Sequence, residues 1–177
     1  MRKLVTVRTI TKITPIPDAD KIECAHIDGW TVVVGKNEFF EGQNVFYFEI
    51  DSMLPLDNSL FEFLESRGTT IQNSKKYHRL RTMRLRGQLS QGLILPYSTL
   101  NKLIPYESKR LEIEKRYQED NEGDFSEFFK VVKYEPPIPM CLQGEVSEYP
   151  VWLSTPDEER IQNFSQEQIQ EILSDKD

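Results

Sequence analysis

The residues best suited to binding a ligand are basic side chains, which cluster in one short stretch of an acidic chain. The formal net charge is −7, yet residues 75–86 hold six Lys and Arg and no acid: Lys75, Lys76, Arg79, Arg81, Arg84 and Arg86. Guanidinium groups form paired, charge-assisted hydrogen bonds with phosphate oxygens. This stretch is therefore a candidate site for a polyanion such as nucleic acid.

The spacing within the basic stretch predicts a strand with one polar face. Because strand side chains alternate between faces, the even positions should form a single row: Arg84, Arg86, Gln88 and Ser90. Leu85 and Leu89 should point into the core from the other face, and Gly87 permits a bulge. A row of guanidinium, amide and hydroxyl groups suits phosphate and sugar oxygens.

Two other interpretations of the basic stretch stay open. Its arginines could form salt bridges with the acidic second half of the chain and leave an ordinary solvated strand face. Tyr77 and His78 could stack on a base or simply pack against the protein. The lack of Glu and Asp between the arginines, together with the strand pattern of the first hundred residues, favours phosphate binding.

The remaining reactive side chains give weaker indications. Glu49 and Asp51 can share a strand face, where two carboxylates bind a metal or act as acid and base, although such a pair more often ends a strand and caps the next loop. His26 and His78 have no ligand partner at a useful spacing, and no Gly-rich phosphate loop occurs. We expect no catalytic residue and no metal site in this chain.

The charge distribution and the two cysteines indicate the cellular compartment and the kind of partner that we expect for this protein. Residues 1–100 carry 13 Lys/Arg against 11 Asp/Glu, and residues 101–177 carry 9 against 18, so their net charges are +2 and −9. Cys24 and Cys141 fit no metal or redox spacing, which favours free thiols in a reducing compartment. The sequence has no signal peptide and no apolar stretch long enough to span a membrane. We expect an intracellular protein, cytoplasmic or nuclear, with no membrane partner.

The elements that must position the cations are typical of a small β-barrel. Alternating residues predict strands ahead of the basic stretch over 4–13, 21–27, 30–34 and 43–50. Asp28-Gly29 is a tight hairpin signal, and 60–66 predicts a short helix closed by Gly68. Five strands with one helix between the late ones favour a Greek-key barrel, the OB-fold, over residues 1–97.

Residues 98–177 predict helical and extended segments rather than a second β domain. A short helix should follow residue 98, and a charged helix should cover about 107–120. A Pro-rich run then ends near residue 139 and cannot be a central strand. Ser165 and Gln168 form a capping box for a last helix. We expect this part to be a connector.

Six segments, taken in order, give the chain a family resemblance. They are KITPIPDADKIE, GWTVVVGKNEF, FEIDSMLP, RLRGQLSQGLILP, VKYEPPIP and PDEERIQN. Together they resemble the ATP-dependent RNA ligases that carry an OB module at the N-terminus. The resemblance implies an enzyme in which a lysine attacks ATP, AMP passes to a 5′-phosphate, and a 3′-hydroxyl seals the nick with the help of Mg or Mn. It also implies that the OB module engages a nicked RNA duplex.

The chain departs from that family in its nucleophile. The resemblance implies a K-x-D/E-G motif soon after DEERIQN, and no such motif occurs here. We therefore expect an OB module with its connector and no cofactor of its own, whose missing nucleotidyltransferase domain acts in cis in a parent ligase. The resemblance makes Arg160 and Gln162 candidates for the nucleotide side of that parent. The family more often shows a Lys and a Thr ahead of the Asp, where this chain has STP, and this departure weakens the transfer of an ATP contact to 154–156.

Two other functions remain open at this point. The PIPDADKIE segment also resembles the tRNA-binding OB domains attached to aminoacyl-tRNA synthetases, so the chain could be a stand-alone tRNA-binding module. It could instead be a protein–protein adaptor whose acidic second half docks a basic partner. The salt dependence of binding to nicked duplex and to tRNA separates the first two functions, and failure to bind RNA at low salt favours the third.

The missing motif predicts that this chain does not form a covalent enzyme–AMP adduct. A covalent nucleotidyltransferase needs an activated lysine, so the chain should retain no label after incubation with radioactive ATP and Mg or Mn. Acid-precipitable label that resists boiling in denaturant would contradict this expectation.

Overall fold

The chain is mainly β. The computed structural model describes residues 2–72, 74–104, 111–112, 115, 123–137, 160–164 and 166–174. In that part of the chain the strands are β1 Val5–Thr9, β2 Lys12–Pro15, β3 Ile22–Ile27, β4 Trp30–Gly35, β5 Asn44–Phe48, β6 Ser52–Pro55, β7 Thr70–Gln72, β8 Lys75–Arg79, β9 Met83–Leu85, β10 Gln88–Ser90, β11 Leu93–Pro96 and β12 Val132–Lys133. The helices are α1 Thr99–Leu103, α2 Ser126–Phe129 and α3 Gln166–Ser174, with 3-10 helices at Glu62–Arg67 and Ile161–Asn163.

The first predicted strand bends and serves two sheets. β1 pairs with β5 and β2 pairs with β3, both antiparallel. At the bend the Ile10 amide donates to the Gln43 carbonyl at 3.0 Å, and the next amide, Thr11, donates to the His26 carbonyl at 2.9 Å. The chain thus crosses from one sheet to the other without losing a backbone hydrogen bond, which forms one corner of a barrel.

A second bent segment, 88–96, closes the barrel. Its first part lies beside β4, where the Gln91 amide donates to the Thr31 carbonyl at 2.7 Å and the Thr31 hydroxyl donates to the Leu89 carbonyl at 3.0 Å. Its second part, β11, pairs with β5. The order around the barrel is β1/β2, β3, β4, β10/β11 and β5. When the two bent segments are each counted as one strand, the predicted five-stranded Greek-key OB barrel is confirmed.

The local signals of the first half are also confirmed. β3 and β4 pair up to Ile27 and Trp30, so Asp28-Gly29 is the tight turn, with Asp28 at φ 49°. The helix predicted over 60–66 is a 3-10 helix that ends at Gly68, whose φ of 122° suits glycine.

Both faces of β5 are buried. Val45 and Tyr47 face the barrel core, which also contains Trp30 and Ile94. The alternate residues Phe46 and Phe48 face a second core, whose other buried members include Leu4, Leu54, Phe61, Leu100, Phe125 and Phe129. Because these members include Leu4 at the start of the barrel and Leu100, Phe125 and Phe129 after it, the second core fastens segments from both sides of the barrel to the same strand.

Strands β6, β7 and β8, which follow β5 in the chain, form a small sheet that β12 joins from the second half of the chain. The order in this sheet is β12, β6, β8 and β7. The sequence patterns predicted no strand over 51–59, and this was wrong, because Ser52–Pro55 forms strand β6 with all four residues buried. A strand buried on both faces shows no alternation, so periodicity could not identify it. β12 lies at the edge of the sheet, as expected for the start of a Pro-rich run.

Several predictions for the second half fall outside the described residues. Most of the charged helix predicted over 107–120 does so, although Leu111, Glu112 and Lys115 are helical. The last helix is confirmed as α3, while Ser165 of its capping box is not described. Cys24 is a buried free thiol, and Cys141 lies outside the described part. Of the described helices, none is long and apolar enough to cross a membrane.

The return of the chain to β5 at Gly92 predicts a position that tolerates no side chain. Gly92 has φ +107°, and an added Cβ would lie 2.5 Å from the Phe48 carbonyl oxygen and 2.8 Å from the Tyr47 ring. We expect Gly92→Ala to lower the free energy of unfolding by about 3 kcal/mol or more, because both neighbours belong to a strand fixed by two cores. Urea unfolding measures this.

The matched control is Gly42→Ala. Gly42 also has positive φ, +82°, but an added Cβ there meets no atom within 4 Å. We expect Gly42→Ala to lower the free energy of unfolding by about 1–2 kcal/mol, which is the cost of the left-handed backbone conformation alone. Equal losses in the two variants would show that the close approach to β5 does not matter.

Candidate nucleic-acid interface

The basic stretch forms a hairpin rather than one continuous strand. β9 and β10 pair antiparallel, with Leu85 opposite Gln88 and Arg84 opposite Leu89. Arg86 and Gly87 form the two-residue turn between them, at φ 49° and 81°. Positive φ at both positions is the arrangement that matches the twist of hairpin strands. The arginine-glycine pair was a turn signal that the strand prediction read as a bulge.

The predicted polar row is therefore wrong. Residues opposite each other in an antiparallel pair share a face, so Arg84 lies on the face of Leu89, while Gln88 lies on the face of Leu85. Leu89 is 37% exposed rather than inside the core. Ser90 is buried, and its hydroxyl accepts a hydrogen bond from the Val33 amide at 3.0 Å, so it holds the barrel closed instead of facing a ligand.

The hairpin does present two of the predicted cations to solvent. Arg84 and Arg86 are both exposed, as expected. Arg84 donates to the Gly87 carbonyl across the turn at 2.9 Å. Within the described part of the chain, neither arginine has a carboxylate within ion-pair distance. Their charges are available to an anion from solution.

The cations ahead of the hairpin have different surroundings. Arg81 and Lys75 are exposed and form no ion pair with a described residue. Lys76 lies 3.8 Å from Glu65, with both side chains more than half exposed. Such a pair contributes little to stability and does not block binding. Tyr77 is buried, so it packs against the protein, and His78 contacts the Gly68 carbonyl oxygen at 2.7 Å through Nδ1.

Arg79 is an internal residue, unlike the hairpin arginines. Its Nη2 and Nε donate to Asp51 Oδ1 at 2.7 and 3.2 Å, and its guanidinium carbon lies 3.5 Å from the centre of the Tyr134 ring. Arg79 therefore forms a salt bridge, but not with the acidic second half of the chain, where the salt-bridge interpretation placed the partner. Its carboxylate partner comes from the first half of the chain, and its aromatic partner comes from the second.

Asp51 binds a second arginine from far along the chain. Arg160 Nη2 donates to its other oxygen at 3.4 Å. Burial alone would raise the pKa of Asp51, but the hydrogen bond and charge of Arg79, with the charges of Arg160 and Arg2, together outweigh burial and lower that pKa below its usual value. The Glu49 and Asp51 pair therefore anchors cations, and the described residues contain no cluster suited to a metal.

Residues 160–164 dock on one end of the barrel. The Asn163 side chain accepts from Trp30 Nε1 at 2.7 Å and donates to Glu49 Oε1 at 2.6 Å. Glu49 in turn is held by Arg2 at 2.7 Å, and both side chains are buried. Sequence reasoning missed this network. The available signal was Trp30, since a buried indole N–H needs an acceptor.

The predicted nucleotide-side residues lie in this docked segment. The Gln162 carbonyl accepts from the Gly29 amide at 3.1 Å, and a Cβ at Gly29 would come within 3.0 Å of the Gln162 Cα. Arg160 lies 5.7 Å from the Trp30 ring. These two residues therefore lie beside the Asp28-Gly29 hairpin. Among the described residues, neither forms a hydrogen bond with Arg84 or Arg86 of the β9–β10 hairpin.

Comparisons with known proteins agree with the barrel. A family model described as an OB-fold domain matches residues 4–97. Naegleria gruberi RNA ligase with PPi is 41% identical, with a TM-score of 0.71, and the match covers 92% of this chain and 44% of that one. A mutant of the same ligase with AMP and Mn is 42% identical, with a TM-score of 0.75, over 96% of this chain and 46% of that one.

A further mutant of that ligase, with ATP and Mn, is 42% identical, with a TM-score of 0.74. The chain thus spans less than half the length of these ligase chains. No curated protein sequence matches significantly.

The lowered pKa of Asp51 predicts a pH-dependent contribution to stability. Because the folded pKa lies below the unfolded value of about 4, the contribution is present above that pH and is lost as pH falls through the folded pKa. We expect Asp51→Asn to lower the free energy of unfolding at pH 7 by on the order of 1 kcal/mol, since the carboxylate is still 31% exposed. At pH 3 the difference from the unmodified chain should shrink.

Denaturant unfolding at both pH values measures the effect. Asp57→Asn is the control, because Asp57 is exposed and has no ion pair with a described residue. If Asp51→Asn lowers the free energy of unfolding by the same amount at pH 7 and pH 3, the ionised Asp51 carboxylate is not the source of the stabilisation.

Proposed function

The chain belongs to the OB-fold domain family, and on this basis we propose that it is the RNA-binding OB module of an RNA ligase, engaging the backbone of a nicked duplex. The observation that carries the proposal is the β9–β10 hairpin. It presents Arg84 and Arg86 in an exposed tight turn, with no carboxylate among the described residues to neutralise them. Phosphate is the ligand that such a pair of guanidinium groups suits best.

The similarity to RNA ligase structures supports the choice of RNA as the polyanion. Identity of 41–42% extends over 92–96% of this chain, well beyond the barrel itself. The hairpin carries no arrangement of side chains that would read base edges, because Gln88 shares a face with Leu85 and Ser90 is committed to the barrel. Contacts to phosphates position a protein without selecting sequence, which suits an activity directed at nicks.

We assign the chemistry of the ligase to a catalytic domain in cis. Three of the matched structures of the Naegleria enzyme are described as with PPi, with ATP and Mn, and with AMP and Mn. In the proposed arrangement ATP and a divalent metal belong to that domain. Residues 1–97 form the OB module and residues 98–177 the connector, whose residues Phe125 and Phe129 pack in the second core and so fold with the barrel.

Arg160 and Gln162 remain our proposed residues on the nucleotide side. Arg160 uses one of its five N–H donors on Asp51, at 3.4 Å. Its other donors are available to a phosphate while the segment stays docked. Gln162 contributes its backbone carbonyl to the Gly29 contact, which leaves its side-chain amide for a ligand.

The proposal predicts that the hairpin arginines carry RNA affinity. We expect Arg84→Ala and Arg86→Ala each to weaken binding to a nicked duplex about tenfold, the low end for an exposed charge-assisted bond. Each should also flatten the slope of the logarithm of the RNA association constant against the logarithm of the salt concentration. The expected change is roughly 0.7–0.9, the contribution of one phosphate contact. The loss should not depend on base sequence. Fluorescence anisotropy at several salt concentrations measures both quantities.

Two variants serve as matched controls. Lys12→Ala removes an exposed cation on β2, which is separated from β4 by β3 in its sheet, and should change neither quantity. Arg79→Ala breaks the Asp51 pair and should lower the melting temperature. Unchanged RNA binding in Arg84→Ala and Arg86→Ala would contradict the proposal. Preference for tRNA over nicked duplex at every salt concentration would favour the tRNA-binding function instead.

A further inference from the structure

A groove runs between the barrel and the inserted sheet, next to the basic hairpin. Its volume is about 790 Å³, which is within the range of ligand sites. β4 and β11 form one wall, and the 3-10 helix Glu62–Arg67 with the start of β7 forms the other. Met83 and Leu85 of β9 also line it, so the strand that leads to Arg84 and Arg86 is part of the groove.

An aromatic side chain projects into this groove without being part of a core. Phe63 is 52% exposed, whereas its neighbours in the same helix, Phe61 and Leu64, are 0% and 4% exposed. Phe61 and Leu64 anchor the turn in the second core and fix the direction of Phe63. A rigidly held, half-exposed phenylalanine in a groove offers one face of its ring for stacking.

Cations flank this ring. Arg67 and Arg81 both line the groove, both are exposed, and within the described residues neither has a carboxylate partner. Glu38 is the acid that lines the groove, and its Oε2 is occupied by the Gly35 amide at 3.0 Å. The groove thus combines an apolar floor, an exposed aromatic ring and an excess of guanidinium groups. That combination is suited to nucleotides, whose bases stack and whose phosphates attract Arg.

We propose that the groove binds one unpaired RNA nucleotide, with its base on Phe63 and its flanking phosphates on Arg67 and Arg81. This inference rests on the proposed RNA-binding function and specifies its substrate: a nick that carries an unpaired or displaced nucleotide. The hairpin that carries Arg84 and Arg86 borders the groove, because Met83 and Leu85 of β9 line it. A paired base cannot leave its stack without cost, so the groove selects ends that are already unpaired.

The test compares two nicked RNA duplexes that differ by one displaced nucleotide at the nick. The displaced base is 2-aminopurine, whose fluorescence is quenched by stacking. We expect the chain to bind the duplex with the displaced base about 5- to 150-fold more tightly than the fully paired one, as one stacked base allows. Binding should also quench the probe.

The variants assign the effect to Phe63. Phe63→Ala should remove the preference and the quenching while affinity for the paired duplex stays unchanged, and Phe63→Trp should retain both. Phe40→Ala is the matched control, since Phe40 is 66% exposed and does not line the groove. Arg81→Ala should reduce the preference and lower the salt slope by roughly one phosphate contact.

The outcomes separate this inference from the function on which it rests. If the chain binds both duplexes equally and depends on Arg84, the groove proposal is overturned and the RNA-binding function stands. If Phe63→Ala weakens binding to both duplexes alike, the ring does not contact an unpaired base, and the proposal is again overturned. If the chain binds neither duplex at low salt, both proposals are overturned.

Discussion

Burial of both faces of β5 is the constraint on which the rest of the structure depends. Val45, Phe46, Tyr47 and Phe48 are all fully buried, alternately in the barrel core and in the second core. The chain leaves β5 after Phe48 and comes back to pair with it as β11. The hairpin and strands β6, β7 and β8 of the small sheet belong to the segment between β5 and β11, and at Gly92 this segment returns so close to β5 that an added Cβ would lie 2.5 Å from the Phe48 carbonyl oxygen. Residues of this segment also line the groove.

The arginines that the structure describes fall into two groups, those that form ion pairs within the protein and those whose charges face solvent. Arg2 and Arg79 neutralise carboxylates at the end of β5, where Glu49 is 2% exposed. An unpaired carboxylate at that depth would be costly, and each pair is supported by further hydrogen bonds. Arg84 and Arg86 form no such pair with any residue that the structure describes. Arginines of the same short stretch therefore belong to two systems, one structural and one facing solvent.

The sequence predicted the barrel well because its signals were local. Asp28-Gly29 specifies a turn, and alternation along 4–13 and 43–50 specifies half-buried or buried strands. The candidate site was predicted by residue type but not by geometry. The prediction treated Arg86-Gly87 as part of a continuous strand. Because these two residues form a turn, the alternation of faces changes after them, and the prediction placed Ser90 and Leu89 on the wrong faces. The docking of Asn163 on Trp30 joins residues 133 positions apart, and no local pattern indicates such a contact.

The net charge of −7 does not oppose anion binding at the hairpin. Exposed charges are screened over about 8 Å at physiological ionic strength, so the potential at the turn depends on nearby groups rather than on the whole chain. Two acids of the segment between β5 and β9 already have cationic partners, Asp51 in Arg79 and Arg160, and Glu65 in Lys76. What remains locally is an excess of guanidinium charge on a rigid turn. The same exposure that frees these charges makes them sensitive to salt, so the affinity of this hairpin for any polyanion should fall as the ionic strength rises.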